Sequence, residues 1–165
     1  MKVLNACYRI KTHVKLKVYD LLFGKGFVHG KFSFRNRMTI LVEKPGRLEI
    51  GSGCFFNNDC SITCMNRIVI GENSIFGEGV KIYDHNYHIN RNVLTKNAGH
   101  TLGEVIVGKN CWIGSNAVLL KGTCIGDNCV IGAGCVISGV VEDSTIVKAK
   151  QFLAIGSLQR NSDET

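Results

Sequence analysis

Three of the five histidines in the chain, His85, His88 and His100, fall in one stretch of about 20 residues, Tyr83 to Glu104. Neutral imidazole is well matched to taking a proton from a hydroxyl near pH 7, so a general base is sought here first. Such a base needs its second ring nitrogen held. For His85, Asp84, Glu104 or a backbone carbonyl could do this, and the sequence does not choose between them. The eight cysteines are a second set with chemical potential. None forms a Cys-x-x-Cys pair, and the closest spacings, Cys60/Cys64, Cys124/Cys129 and Cys129/Cys135, make no four-ligand zinc pattern. No metal is expected. None of the cysteines lies in the histidine-bearing stretch, which disfavours a covalent thiol mechanism. The single tryptophan, Trp112, completes the set.

The elements that must position these residues are set by a repeat. From Val107 an apolar residue returns every six positions through Ile113, Leu119, Ile125, Ile131 and Ile137, which is a hexapeptide array. An earlier run reads Ile50, Phe56, Ile62, slips by two residues, and resumes at Ile70 and Phe76. Of the eleven units, nine carry Gly, Asn or Asp at position four: Gly53, Asp59, Asn73, Gly79, Asn110, Asn116, Gly122, Asn128 and Gly134. These types tolerate positive φ, so each unit is expected to turn a corner there. Position five is short and holds five of the cysteines, Cys54, Cys60, Cys111, Cys129 and Cys135; a thiol packs there as a small hydrophobe. Three such units close an 18-residue triangular coil, and coils stack as parallel strands about 4.8 Å apart. The register stops at Ile82 and restarts at Val107, so Tyr83 to Glu104 is an insertion extruded from the coil, and long insertions in compact domains are commonly functional.

A chain of 165 residues with 45% apolar content supports one domain. Residues 1–36 are read as a basic, partly helical arm, 37–150 as the coiled domain with its inserted loop at 83–104, and 151–165 as a tail. Leu4, Ala6/Cys7, Ile10, Val14, Val18, Leu21 and Leu22 approximate a helical stripe, which Gly24, Gly26 and Gly30 end. The net charge of +7 belongs to the arm: residues 1–37 hold nine Lys/Arg and one acid, while the rest carries eleven and twelve. The arm has no stacking-aromatic module or recognition-helix pattern, so no nucleic-acid partner is expected. Its basic stripe allows either a cap on the open end of the coil or peripheral contact with anionic membrane. No secretory or membrane-spanning segment is legible, and the expected location is the cytoplasm, at or near the inner face of the membrane.

Over residues 50–142 the repeats, with Cys111-Trp112-Ile113-Gly114-Ser115-Asn116-Ala117-Val118 and Ile125-Gly126-Asp127-Asn128-Cys129-Val130-Ile131-Gly132-Ala133-Gly134, resemble the hexapeptide-repeat acyltransferases. The resemblance implies an all-β fold, a left-handed parallel β-helix with a short N-terminal helical arm, assembled as a homotrimer. Asp84-His85-Asn86-Tyr87 resembles the segment that carries the catalytic histidine in sugar-modifying members, which assigns the base to His85 with Asp84 or Glu104 in support. His88 and His100 match no motif position and are left to solvent or acceptor. By the same resemblance, Trp112 lines the cleft for the acetyl-CoA arm, with Ser115 and Ala133 along the pantetheine. The usual Thr-Lys-Asp turn is replaced by Ser138-Gly139-Val140, so Lys148 and Lys150 are the nearest cations for the coenzyme phosphates.

The implied reaction is acetyl transfer from acetyl-CoA to a hydroxyl of a carbohydrate acceptor, a capsule, O-antigen or exopolysaccharide building block, by direct attack. The alternatives are an N-acetyltransferase of an amino nucleotide-sugar, many of which carry an additional N-terminal nucleotide-binding domain not legible before residue 50, and a non-catalytic scaffold. A zinc hydratase on the same prism would need two histidines five residues apart on the coils. His85 and His88 are three apart.

Overall fold

A computed structural model describes residues 2–88 and 99–150, with side chains from residue 12 onward in the first helix. After helix α1 (Lys2–Phe23) and a 3-10 turn at Gly24–Gly26, the chain winds into a prism. The first coil is β1 (Phe27–His29), β2 (Ser33–Phe34) and β3 (Thr39–Val42); the second is β4 (Arg47–Ile50), β5 (Phe55–Phe56) and β6 (Ser61–Cys64). The third is β7 (Arg67–Ile70), β8 (Ile75–Phe76) and β9 (Lys81–Tyr83). A hairpin of β10 (His85–Tyr87) and β11 (His100–Leu102) then leaves the prism. Coiling resumes with β12 (Glu104–Val107), β13 (Trp112–Ile113) and β14 (Val118–Leu119), continues through β15 (Thr123–Ile125), β16 (Val130–Ile131) and β17 (Val136–Ile137), and ends on β18 (Val140–Val141) and β19 (Ile146–Val147).

Three parallel sheets form the faces, in the orders β1-β4-β7-β12-β15-β18, β2-β5-β8-β13-β16-β19 and β3-β6-β9-β14-β17. The coil is left-handed, as the resemblance implied. All nine position-four residues have positive φ, from Asn110 at 55° to Gly122 at 83°. Two further corners, Arg37 and Ser144, adopt it at 57° without a favoured residue type. The apolar position-one residues are all buried, and the five slot cysteines with them. Phe56 stacks on Phe76 with ring centroids 4.3 Å apart, and Phe32 meets Phe56 edge-on, so the aromatic end of the core lies in the first three coils.

The prism begins at Phe27, ten residues before the boundary read from the sequence, because β1 and β2 already pair in register with β4 and β5. This coil lacks the glycine and asparagine signature that marked the others. The end of α1 at Phe23 agrees with the glycine stop, but its packed face is not the apolar stripe. Thr12 and Tyr19 are buried and Leu16 and Phe23 partly so, whereas Val14, Val18, Leu21 and Leu22 are 57%, 48%, 85% and 65% exposed. The reason lies in the edge that α1 covers. The first coil has no preceding strand, so outward carbonyls need donors; Thr12 Oγ1 donates to Phe34 O at 3.1 Å, Tyr19 OH to Met38 O at 3.2 Å, and Lys15 Nζ also to Met38 O. Hydroxyls and an ammonium cap the open end, beside Leu16 and the Phe23 ring, which pack on the core. Among the described residues no helix is long and apolar enough to cross a membrane. The tail 151–165 and loop residues 89–98 lie outside the described residues, as do the side chains of Leu4, Ala6, Cys7 and Ile10.

Candidate active site

The third coil leaves the prism at Asp84, and its side chain turns back inward. Asp84 is fully buried, with Oδ1 accepting the Met65 N–H at 2.9 Å and Oδ2 accepting the Asn66 N–H at 2.7 Å and the Met65 N–H at 3.1 Å. Buried charge is costly unless hydrogen-bonded, and two backbone donors meet that requirement. His85 Nδ1 lies 3.3 Å from Asp84 Oδ1, and the imidazole is 14% exposed. An ionised carboxylate can only accept. Opposite such a carboxylate, a neutral imidazole is favoured in the tautomer with its hydrogen on Nδ1 and a lone pair on Nε2.

The hairpin is tied to the prism at its base. Gly103 N–H donates to Asp84 O at 2.8 Å, and Asn66 Nδ2 donates to Gly103 O at 2.8 Å. Register pairs His85 with Leu102, Asn86 with Thr101 and Tyr87 with His100. Of the two carboxylates considered as supports for His85, Asp84 is in contact, whereas Glu104 Oε2 accepts from Arg67 Nη1 at 3.0 Å, across the β7–β12 ladder. His100 had no motif to mark it, yet its ring packs edge-on against His85 with centroids 5.4 Å apart, and Tyr87 lies beside it at 4.8 Å. The antiparallel pairing of the two loop arms brings them together, and no spacing in the sequence encodes it. His88 is exposed, its backbone N–H donating to Gly99 O.

Cys64 hydrogen-bonds Asp84 from the core side; burial and that carboxylate push its thiol up to about 12. Burial pushes Cys60 up to about 11, and raises Cys54 and Cys111 as well. Such thiols stay neutral near pH 7 and are poor nucleophiles. Among the described residues no three His, Cys, Asp or Glu side chains gather as a metal would require.

Trp112 stands on a different face, 58% exposed, between Ile75 and Val130 in the parallel ladder. Ile146, 62% exposed, continues that outward apolar column beyond Val130. Ser115 and Ala133 follow at the next corner, with the Gly134 N–H donating to Ser115 O at 2.9 Å. Coils are so tight here that a Cβ on Gly114 would sit 2.5 Å from Ala133 N. Lys148 lies against Gly132 in the last coil, and Lys150 is two residues further on; both are exposed. The structure thus makes two groups in one chain, Asp84 with His85 where β9 leaves its sheet, and Trp112, Ser115, Ala133 and Lys148 along the sheet of β13, β16 and β19. An open groove of about 1070 Å³ lies elsewhere, between α1 and the first two coils, lined by residues such as His13, Phe34 and Arg35. It includes no residue of either group and is not the site of this chemistry.

Residues 104–139 match the family model for the bacterial transferase hexapeptide (six repeats). The chain is 31% identical over 91 residues to the galactoside O-acetyltransferase of Escherichia coli K12, covering 55% of this chain and 44% of that protein. Among solved structures, a hexapeptide-repeat acetyltransferase from Vibrio cholerae O1 biovar eltor, complexed with acetyl coenzyme A, superposes with a TM-score of 0.66 at 20% identity. The match covers 80% of this chain and 71% of that one. A maltose O-acetyltransferase from Clostridium difficile 630 matches with a TM-score of 0.59 at 26% identity, over 77% of this chain and 67% of that one. The chain spans about half the length of the curated relatives it matches.

Proposed function

We propose, for a chain whose coils carry the hexapeptide repeat of the bacterial transferases, that it transfers an acetyl group from acetyl-CoA to a sugar hydroxyl, with His85 as the base. The observation that carries this reading is the buried Asp84 carboxylate, clamped by the Met65 and Asn66 amides and facing His85 Nδ1. It fixes the tautomer in which Nε2 can accept the proton of a hydroxyl, and it stabilises the imidazolium that results. Acetyl-CoA supplies the activated thioester carbonyl. Transfer is direct, because the slot cysteines are buried in the corners, where burial raises the thiols of Cys54, Cys60 and Cys111, and no cysteine lies in the histidine-bearing stretch. The acceptor is assigned as a carbohydrate, a unit of capsule, O-antigen or exopolysaccharide, on the support of relatives named galactoside and maltose O-acetyltransferases.

The outward apolar column at Trp112 suits the pantetheine arm, with the close-packed corner at Ser115 and Ala133 beside it. Lys148 and Lys150 would meet the phosphates, where cations favour anionic oxygens. Since His85 and Trp112 occupy different faces of one prism, a complete site needs the Trp112 face of a second copy next to His85. A homotrimer with its sites between subunits meets that need. The first test is acetyl-CoA binding by calorimetry, then thiol release over a panel of sugars. His85→Ala is expected to lower kcat by about 10²-fold or more while fold and assembly persist. Near-normal turnover in that variant would remove His85 from the mechanism.

A further inference from the structure

The helix that caps the prism has two working faces. One supplies Thr12, Lys15, Leu16, Tyr19 and Phe23 to the first coil. Val14, Val18, Leu21 and Leu22 lie on the opposite side of the same helix, in a stripe that the prism leaves open at 48–85% exposure. Because the inner face donates to the outward carbonyls of the first coil, this stripe looks away from the end of the prism rather than along its sides. We propose that the outward face of α1 docks the protein, end-on, on a phospholipid surface bearing anionic headgroups.

Charge complementarity selects this occupant. Residues 1–37 hold nine basic side chains and one acid, against a nearly neutral remainder. The acid, Asp20, is engaged with His29 at 3.0 Å. Lys17 and Lys25 are exposed on and just after α1, and Lys31 and Arg35 are exposed on the first coil, where they line the groove of about 1070 Å³ beside the helix. A helix with an aliphatic stripe between cations is the pattern of an interfacial amphipathic helix, which buries its apolar side at the headgroup boundary while its cations meet lipid phosphate. A nucleic acid would engage the cations and leave Leu21, 85% exposed, in water. The inference stands apart from the catalytic reading and holds whatever the acceptor is.

Co-sedimentation with vesicles of phosphatidylcholine alone, and of phosphatidylcholine mixed with phosphatidylglycerol, tests it. The intact protein is expected to pellet with the mixed vesicles and to stay in solution with the neutral ones. Raised salt should release it, since screening shortens the Debye length to about 3 Å at 1 M. Val18→Glu/Leu21→Glu should weaken binding about tenfold or more without changing the thermal midpoint or the mass in size-exclusion chromatography; Lys17→Glu/Lys25→Glu should weaken it on mixed vesicles with the same two controls. Failure of the intact protein to pellet with mixed vesicles overturns the proposal, as does undiminished binding by Val18→Glu/Leu21→Glu. A loss of oligomeric mass in that variant also overturns it, since the stripe would then be an interface between copies.

Discussion

Asp84→Asn changes one atom and separates the two jobs of this carboxylate. In the structure Oδ1 faces the Met65 N–H at 2.9 Å and His85 Nδ1 at 3.3 Å, while Oδ2 faces the Asn66 N–H at 2.7 Å and the Met65 N–H at 3.1 Å. An amide offers one oxygen, and its NH2 can only donate. Keeping the oxygen toward Asn66 preserves both backbone contacts at that atom and puts NH2 against Nδ1. The imidazole must then accept at Nδ1, so its hydrogen moves to Nε2 and the base is lost. The opposite orientation spares the tautomer and keeps the Met65 N–H on the oxygen, but it sets the Asn66 N–H against an NH2, at about 1–3 kcal/mol for that unsatisfied group. The first orientation wins, with a stability loss of about 1–3 kcal/mol and a fall in kcat of about 10²–10⁴-fold. Thiol release at saturating acetyl-CoA and acceptor measures the second quantity, and urea unfolding the first. Since Asp84 acts through His85, Asp84→Asn/His85→Ala should be no slower than His85→Ala alone, within about threefold. Multiplicative losses, or normal turnover in Asp84→Asn, would refute the reasoning.

Three further outcomes follow from the prism itself. Cys129 is fully buried and its Sγ donates to Glu142 O at 3.0 Å; Cys129→Ala should leave turnover nearly intact, whereas Cys129→Leu should overpack the corner by about 1–3 kcal/mol in urea unfolding. Lost turnover with unchanged stability in the alanine variant would contradict a packing role. Asn116 turns its corner at φ 58°, so Asn116→Val should cost about 1–2 kcal/mol and Asn116→Gly much less; equal melting temperatures for the two would show that the corner carries no strain. Cys60 and Cys64 are pushed up to about 11 and 12 from an ordinary value of 9.0. The unfolded chain therefore gives up these protons first, so stability is full below pH 9 and falls as pH rises from 9 through 11 to 12. The urea midpoint followed over that window should drop, and Cys60→Ala should flatten the drop; a midpoint independent of pH would count against neutral buried thiols.

The coils were legible because each corner imposes one demand that few residue types meet. Asn73, Asn110, Asn116 and Asn128 announce positive φ, and the glycines at 53, 79, 122 and 134 do the same. Legibility fails where the demand is met by context. Arg37 turns its corner with an ordinary side chain, ion-paired to Asp59 one coil on, so the sequence starts the coil at residue 37 and leaves β1 and β2 in the arm. The α1 stripe misled for a related reason. Hydrophobicity locates a helix face that buries carbon, but the edge under α1 needed hydrogen-bond donors, and Thr12, Lys15 and Tyr19 do not score as a buried face.

The site was half legible for a reason that the hydrogen-bond ladder supplies. In a regular coil a backbone amide finds a carbonyl on the next coil, as the Ser61 N–H finds Val80 O and the Gly71 N–H finds Val107 O. The two-residue slip after Ile62 lengthens one corner, and the chain that should cover that corner leaves the prism at Asp84. Met65 and Asn66 are thereby left with N–H groups aimed at the gap, and a carboxylate one residue before a histidine takes both. Slip and insertion were each visible in the sequence, but their meeting across 18 to 19 residues was not, because it depends on the stacking of the third coil on the second. A break in the register of a solenoid frees backbone donors at a known corner, and a charged side chain at the start of the insertion is the group able to satisfy them. That relation explains why Asp84 is buried, why Glu104 is free to pair with Arg67, and why the proposed base is the residue next in sequence.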